Sequence, residues 1–185
     1  MSVPSGAPRV PSRALPLGHI GLTVPRLDVA VAWYADVFRF EPIGPQATLI
    51  AADGDGGRLA AAVFGRGFVE ANVIQLATGS PVDLELFEFR PPQGSARPAF
   101  EYWHPGWFHF CVVESEIEAM GARIERHGGR RLTGVLSIVP GTPYRMCYCQ
   151  DPFGNVVEIH THAHGSLEAN RPADETLSRP EAGRR

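Results

Sequence analysis

Two stretches of the chain share one pattern, in which a short alternating run of apolar residues leads into a segment with helical spacing. In residues 17–40, Ile20, Leu22 and Val24 alternate with small or polar residues, and this period of two predicts a strand. The apolar positions that follow recur every three or four residues and predict a helix with one buried face. They are Val29, Ala32, Trp33, Val37 and Phe40.

Residues 105–129 show the same pattern a second time. Phe108 and Phe110 belong to an alternating run, which predicts a strand with these side chains under a helix. One histidine stands in each predicted strand, at His19 and His109, and the two are 90 positions apart. The chain therefore contains an internal repeat of one strand–helix unit. The second helical stripe consists of Ile117, Met120, Gly121 and Ile124.

Strand-like segments follow each helix and are separated by Gly, Asp and Pro breaks. The first half contains "ATLIAA", "RLAAAVFG", "FVEANVIQLA" and "VDLELFEF", and the second contains "RRLTGVLSIV", "YRMCYCQ" and "VVEIHTH". We therefore expect one module at about 17–92 and a second at about 105–163. Residues 1–16 hold four prolines and predict a flexible arm, and 164–185 predict a flexible tail because they hold only two large apolar residues.

Side-chain parity places four chemically active residues on one kind of face. Neighbouring residues in a strand point to opposite faces, so His19 and His109 should face away from the helices. The closing strand of each module carries an acid, Glu85 or Glu158, that should also face away from the helix. Glu88 would share the helix face and is the less suitable acid. Two curved sheets related by a pseudo-twofold axis would bring these imidazoles and carboxylates around one cavity.

The composition limits the partners and the setting. Hydrophobic residues make up 44% of the 185 residues and charged residues 20%, which is typical of a globular domain. The formal net charge of -3 gives no reason to expect nucleic acid as a partner. No apolar run approaches the roughly 20 residues that span a bilayer, so no membrane partner is expected. Three cysteines cannot all pair within the chain, and no secretion signal is evident, which predicts a reduced, cytoplasmic setting.

Three motifs resemble the vicinal-oxygen-chelate superfamily, the glyoxalase/bleomycin resistance protein/dioxygenase family. They are "HIGLTV" leading into "AWYADVFRFE", then "HFCV", then "DPFGNVVEIH". The resemblance covers about residues 17–163 and implies an α+β fold, in which two tandem βαβββ modules form a half-open β-barrel. It also implies metal ligands on the first and last strands of each module. His19, Glu85, His109 and Glu158 hold those positions here.

This ligand set implies one divalent metal ion. Imidazoles and carboxylates suit ions of borderline hardness, namely Zn²⁺, Ni²⁺, Mn²⁺, Co²⁺ or Fe²⁺. Such an ion would hold a small substrate through two neighbouring oxygens and act as a Lewis acid. Glu158 or Glu85 would serve as the catalytic base, as the resemblance suggests. Cys147 and Cys149 look like a metal pair, but their parity predicts small buried residues on the helix side.

Six further residues are candidates for the substrate pocket. His160 shares the face of Glu158 and is interpreted as a proton carrier, a substrate contact or a solvated strand-end histidine. Trp107 and Phe87 would form an aromatic wall of the cavity or pack in the core. The arginine is a candidate contact for an acidic substrate. The six are Tyr148, His160, Met146, Trp107, Phe87 and Arg145.

Three classes of function remain open at this point. The four-ligand set favours a metal-dependent lyase or isomerase of glyoxalase or epimerase type. An Fe(II)-dependent, extradiol-type dioxygenase would need only two histidines and one carboxylate. A non-enzymatic, antibiotic-binding protein would have the fold without the metal, and retention of all four ligand types argues against it. We expect a homodimer, the commonest assembly of soluble proteins.

Overall fold

The computed structural model describes residues 14–91, 102–103 and 105–169, and it contains two separate sheets. The first module consists of β1 (His19–Thr23), α1 (Leu27–Phe38), β2 (Glu41–Ile50), α2 (Gly54–Phe64), β3 (Glu70–Ala77) and β4 (Asp83–Arg90). The second consists of β5 (Phe110–Val113), α3 (Ile117–Arg126), β6 (Arg130–Arg131), β7 (Leu136–Ser137), β8 (Arg145–Gln150) and β9 (Val156–His160), and α4 (His164–Ala169) follows it.

Both sheets use the same strand arrangement. The first has the order β1-β4-β3-β2, and the second has the order β5-β9-β8-β6, with β7 also paired to β8. The short strands β6 and β7 together take the place that β2 has in the first sheet. In each module the first strand pairs in parallel with the last, while the other pairs are antiparallel. The fold is therefore α+β with two tandem βαβββ modules, as predicted, and the two sheets do not close into a barrel.

One hydrophobic core joins the helix-covered faces of the two sheets. It contains Leu27 and Tyr34 of α1, Ile124 of α3, and residues of both sheets such as Leu86 and Ile159, all at most 1% exposed. Burial of each large apolar side chain contributes about 1.5–3 kcal/mol. Cys147 and Cys149 lie in this core with 0% exposure, as their parity predicts. The opposite, open face of each sheet carries the candidate site residues, and on the first sheet α2 covers part of this face, where Phe64 packs against Phe87 and Phe89.

The segment "RLAAAVFG" is a helix, and the prediction of a strand there is wrong. It forms most of α2, which packs against β2. A short apolar run fits either element, but its successive alanines favour a helix. The packing is close, since a Cβ atom at Gly57 would overlap the carbonyl oxygen of Ile50. The first module thus carries an extra helix between its second and third strands.

Two further expectations differ from the structure. Strand β5 begins at Phe110, so Phe108 is not held under a helix but stacks on the ring of Tyr148, with centroids 5.6 Å apart. Helix α4 occupies the start of the segment predicted to be a flexible tail. Residues 1–13 and 170–185, which include most of the predicted arm and tail, lie outside the described residues. No helix in the described ranges is long and apolar enough to cross a membrane.

Candidate metal centre

The first module presents a histidine–carboxylate pair on its open face. His19 begins β1, and Gly21 is the register partner of Glu85 in the neighbouring β4. Nε2 of His19 lies 3.3 Å from Oε2 of Glu85. Glu88 lies on the other face, where its Oε2 accepts a hydrogen bond from the backbone N–H of Leu27 at 3.0 Å. Glu85 and Glu88 therefore lie on opposite faces of β4, as strand parity predicts.

The second module presents the equivalent pair. His109 precedes β5, and Cys111 is the register partner of Glu158 in β9, just as Gly21 is of Glu85. Nε2 of His109 lies 3.1 Å from Oε2 of Glu158. The side chains of this pair are 26% and 12% exposed, against 52% and 20% for the pair of the first module. The second pair is the more deeply set of the two.

Both pairs have the spacing of ligands that share one ion. Metal–nitrogen and metal–oxygen bonds are about 2.0–2.2 Å long, which puts two donors on one ion about 3.0–3.5 Å apart. The distances of 3.3 Å and 3.1 Å fall in that range. The donor set of imidazole nitrogen and carboxylate oxygen suits divalent ions of borderline hardness. The residues present therefore fit the metal that the sequence resemblance implies.

The structure does not bring the two pairs together within one chain. Among the described residues, no cluster of three or more such ligand atoms within 4.8 Å of one another includes His19 or Glu85. Each pair instead lies on the open face of its own sheet, whereas the helix-covered faces share the core. The single cavity expected from the sequence would need a second surface to bring the pairs into contact.

Glu158 is the more deeply buried of the two acids in the histidine–carboxylate pairs. Its residue is 9% exposed, and its second oxygen, Oε1, lies 3.1 Å from Nε2 of His160. Burial would raise the pKa of Glu158, but the Tyr148 hydroxyl and the imidazoles of His160 and His109 outweigh it and hold this pKa below its ordinary value. The carboxylate is therefore kept ionised, which is the state that a ligand or a general base requires. In return, burial and Glu158 raise the pKa of Tyr148, so this hydroxyl remains a proton donor.

Cys111 is a member of the site that the sequence prediction missed. Its sulfur, a carboxylate oxygen of Glu158 and a ring nitrogen of His160 all lie within 4.8 Å of one another. Burial and the nearby Glu158 raise the pKa of the Cys111 thiol to about 12. A signal was present in the sequence, because the alternation in "HFCV" that places His109 on the open face also places Cys111 there.

The other predicted pocket residues are spread over the second module and β4. Trp107, which is 72% exposed, lines an open pocket of about 280 Å³ together with Gly106, Phe108 and His109. Met146 is the register partner of His160, and Arg145 is exposed at the start of β8. Phe87 belongs to the first module, where it stacks on Phe89 and contacts Phe64 of α2. The six predicted pocket residues, which also include Tyr148 and His160, are therefore divided between the two modules.

The "DPFGN" turn, which leads into β9, is held by its first residue. Oδ1 of Asp151 accepts hydrogen bonds from the backbone N–H groups of Phe153 and Asn155, at 2.9 Å and 2.7 Å. Its Oδ2 accepts from the amide of Asn155 at 2.8 Å and from the buried hydroxyl of Tyr34 in α1 at 2.7 Å. Asp151 thus fixes the turn that positions Glu158 and also ties the second module to the first.

The family model of the glyoxalase/bleomycin resistance protein/dioxygenase superfamily matches residues 17–159. The chain belongs to this superfamily. The match spans both modules and includes all four residues of the two histidine–carboxylate pairs. Membership was implied by the motifs around His19, His109 and Glu158, and it is confirmed.

Individual relatives are distant. A 2-epi-5-epi-valiolone epimerase from Actinomyces sp. is 25% identical over 150 residues, which cover 79% of this chain and 79% of the relative. Among solved structures, a glyoxalase family protein from Bacillus cereus matches with a TM-score of 0.67 and 19% identity, covering 82% of this chain and 97% of that one. The fosfomycin resistance protein FosX from Listeria monocytogenes matches with a TM-score of 0.53 and 16% identity, covering 83% and 97%. At these identities the solved structures show the fold alone.

Proposed function

We propose that this protein is a divalent-metal-dependent enzyme of the lyase or isomerase class that acts on a small substrate with two neighbouring oxygens. The observation that carries the proposal is the pair of histidine–carboxylate contacts at equivalent positions of the two modules, at 3.3 Å and 3.1 Å. His19, Glu85, His109 and Glu158 would hold the ion. The similarity to an epimerase supports isomerase-type chemistry, in which a proton is removed and returned.

The chain's own residues supply the acid–base chemistry. A bound divalent ion would act as a Lewis acid that stabilises negative charge on the substrate oxygens. Glu158 is ionised and carries His109 on one oxygen and His160 on the other, so it is held in one orientation. If it detaches from the ion, this carboxylate would accept the proton from the substrate carbon, as a positioned general base does. Tyr148 donates its hydroxyl proton to the same carboxylate, and its raised pKa keeps the hydroxyl protonated for this hydrogen bond.

Aromatic rings beside the first pair support a substrate with an apolar or ring-shaped part. Phe87 follows Glu85 on the same face of β4, and Phe64 of α2 lies against it with ring centroids 5.8 Å apart. On the second module, Trp107 is largely exposed next to His109. Aromatic faces of this kind pack against apolar rings and exclude water. The substrate would therefore offer its oxygens to the ion and its carbon skeleton to these rings.

A homodimer would complete the site. Within one chain the two pairs lie on separate sheets and form no common cluster in the described ranges. A second copy related by a twofold axis would place the first-module face of one copy against the second-module face of the other, and would do so twice. Apolar side chains are exposed on both modules, including Leu59 and Val63 of the first, and Val113 and Leu136 of the second. Burying them against a second copy would stabilise the assembly.

The test is metal analysis of the protein purified without chelator, combined with isothermal titration using Mn²⁺, Co²⁺, Ni²⁺ and Zn²⁺. We expect about one ion per chain and its loss in His109→Ala, because this variant removes one of four ligands. Mixing His19→Ala with His109→Ala and allowing exchange should restore about a quarter of the sites if each site is shared between two copies. His127→Ala, at the exposed end of α3, is the matched control and should bind like the wild type.

The outcomes separate the parts of the proposal. A wild-type protein that contains no metal and takes up neither these ions nor Fe²⁺ would refute the metal-dependent function. Metal binding without restoration on mixing would refute the shared site but not the function. Iron as the native ion, together with oxygen consumption in the presence of a catechol, would favour dioxygenase chemistry over the proposed class.

A further inference from the structure

The open face of the second module carries three metal-type donors that lie closer together than the four proposed ligands. Cys111, Glu158 and His160 contribute a sulfur, a carboxylate oxygen and a ring nitrogen, all within 4.8 Å of one another. Their positions follow from the strand register, since Cys111 is the partner of Glu158 in the parallel pair β5–β9, and His160 is two residues further along β9. All three come from two neighbouring strands, so no second copy is needed to assemble them.

His160 is the member of this cluster whose side chain has a buried nitrogen available to bind a ligand. Its Nε2 is buried and has no hydrogen-bond partner among the described residues. The nearest carboxylate oxygen, Oε1 of Glu158, is 3.1 Å away, which is the distance of an ion pair. Coordination of one cation by this nitrogen and this oxygen would satisfy both atoms, and their separation fits two donors on one ion.

The first module shows that the cluster is not part of the repeated site. Gly21 stands where the second module has Cys111, and Phe87 stands where it has His160, on either side of the equivalent acid Glu85. Phe87 stacks on Phe89 with an angle of 11° between the rings and offers no ligand atom. The repeat therefore explains His109 and Glu158, but it does not explain Cys111 and His160.

The two oxygens of Glu158 point to different partners. Oε2 lies next to His109 and belongs to the proposed four-ligand site, whereas Oε1 lies next to His160. The donors also differ in softness, because only the second set includes a sulfur. Thiolate sulfur selects thiophilic ions, while carboxylate and imidazole alone also accept harder ions such as Mn²⁺.

We propose that Cys111, Glu158 and His160 form a second metal position, contained within one module, that prefers thiophilic divalent ions such as Zn²⁺ and Cd²⁺. The Cys111 thiol releases its proton to solvent as it binds the ion. The fourth ligand is a water molecule or a substrate atom, as in three-ligand zinc sites. This position shares Glu158 with the proposed function but does not rest on it, because it needs neither His19 nor Glu85.

The test uses Cd²⁺ as the probe, followed by isothermal titration and by the near-ultraviolet charge-transfer absorption that a cadmium–thiolate bond produces. We expect the band in the wild type and its loss in Cys111→Ser. We expect His160→Phe, which installs the residue of the first module, to weaken Cd²⁺ binding by about tenfold or more, since loss of a group that merely orients a ligand already costs about 10–100-fold. His19→Ala and Cys147→Ala should keep the band.

Each result decides the question. A band that persists in Cys111→Ser would overturn the proposal, and its loss in Cys147→Ala would then assign the sulfur ligand to the buried core. Absence of the band in the wild type would overturn it as well. Circular dichroism spectra identical to the wild type would show that Cys111→Ser and His160→Phe are folded. Mn²⁺ binding that is unchanged in Cys111→Ser would show that the two positions are distinct, and failure of Mn²⁺ alone to bind would count only against the four-ligand site.

Discussion

The hydrogen bond between Tyr34 and Asp151 should be a measurable tie between the two modules, and Tyr34→Phe tests it. The hydroxyl and Oδ2 of Asp151 are 2.7 Å apart, and the two residues are 0% and 3% exposed. A buried hydrogen bond to a charged group contributes about 1.5–3 kcal/mol. Removing the hydroxyl does not leave Oδ2 without a partner, because the amide of Asn155 still donates to it at 2.8 Å. We therefore expect a loss in the lower half of that range, about 2 kcal/mol.

The assay is urea unfolding followed by far-ultraviolet circular dichroism, with thermal unfolding as a second measurement. A loss of about 2 kcal/mol should lower the midpoint temperature by about 4–8 °C in a chain of this size. Tyr144→Phe is the matched control, since its hydroxyl donates to the neutral backbone carbonyl of Ser166 at 3.2 Å. That variant should cost about 0.5–1 kcal/mol. If Tyr34→Phe costs no more than Tyr144→Phe, the tie between the modules does not contribute as argued.

Two further predictions concern stability. Burial raises the pKa of Glu88, but the N–H of Leu27 and the Arg90 guanidinium lower it more, so its folded pKa lies below its ordinary value. Glu88 therefore contributes stability that is present above about pH 4.3 and is lost as the pH falls through the lower folded pKa. In Glu88→Gln, the free energy of unfolding measured with urea should depend less on pH in that window. Gly57→Ala should destabilise the protein by about 1–3 kcal/mol through overlap with β2, whereas Gly56→Ala, which meets only ordinary contacts, should stabilise α2 by up to about 1 kcal/mol. Equal effects of the two alanines in thermal unfolding would contradict this account of α2.

The sequence predicted the faces of the site residues well because strand alternation is a local property. A period of two is enough to separate Glu85 from Glu88, and the structure places them on opposite faces of β4. The same period of two predicts that Cys147 and Cys149 lie on the helix side, and both are buried in the core. The same rule places Cys111 on the open face, although it has no counterpart in the first module, where Gly21 stands. The internal repeat indicates the positions that the modules share, not those at which they differ.

Long-range packing decided what the sequence did not predict. The run "RLAAAVFG" is compatible with a strand or a helix by pattern, and the close contact of Gly57 with β2 accompanies the helix. The relative placement of the modules depends on contacts such as Tyr34 with Asp151, which are 117 positions apart. No periodicity encodes such a contact. The expectation that four ligands meet in one cavity therefore went beyond what local alternation supports.

The two modules surround their equivalent acids, Glu85 and Glu158, with different side chains. Around Glu85 the first module places Gly21, Phe87 and the rings that α2 brings beside them, so this face offers apolar surface and one exposed histidine–carboxylate pair. Around Glu158 the second module places Cys111, Tyr148 and His160, all of which carry polar atoms. If the two faces meet across a dimer, as proposed, the apolar surface of the first module would face the polar side chains of the second. Such a space would favour a substrate that places its apolar part against the first module and its reacting carbon near Glu158.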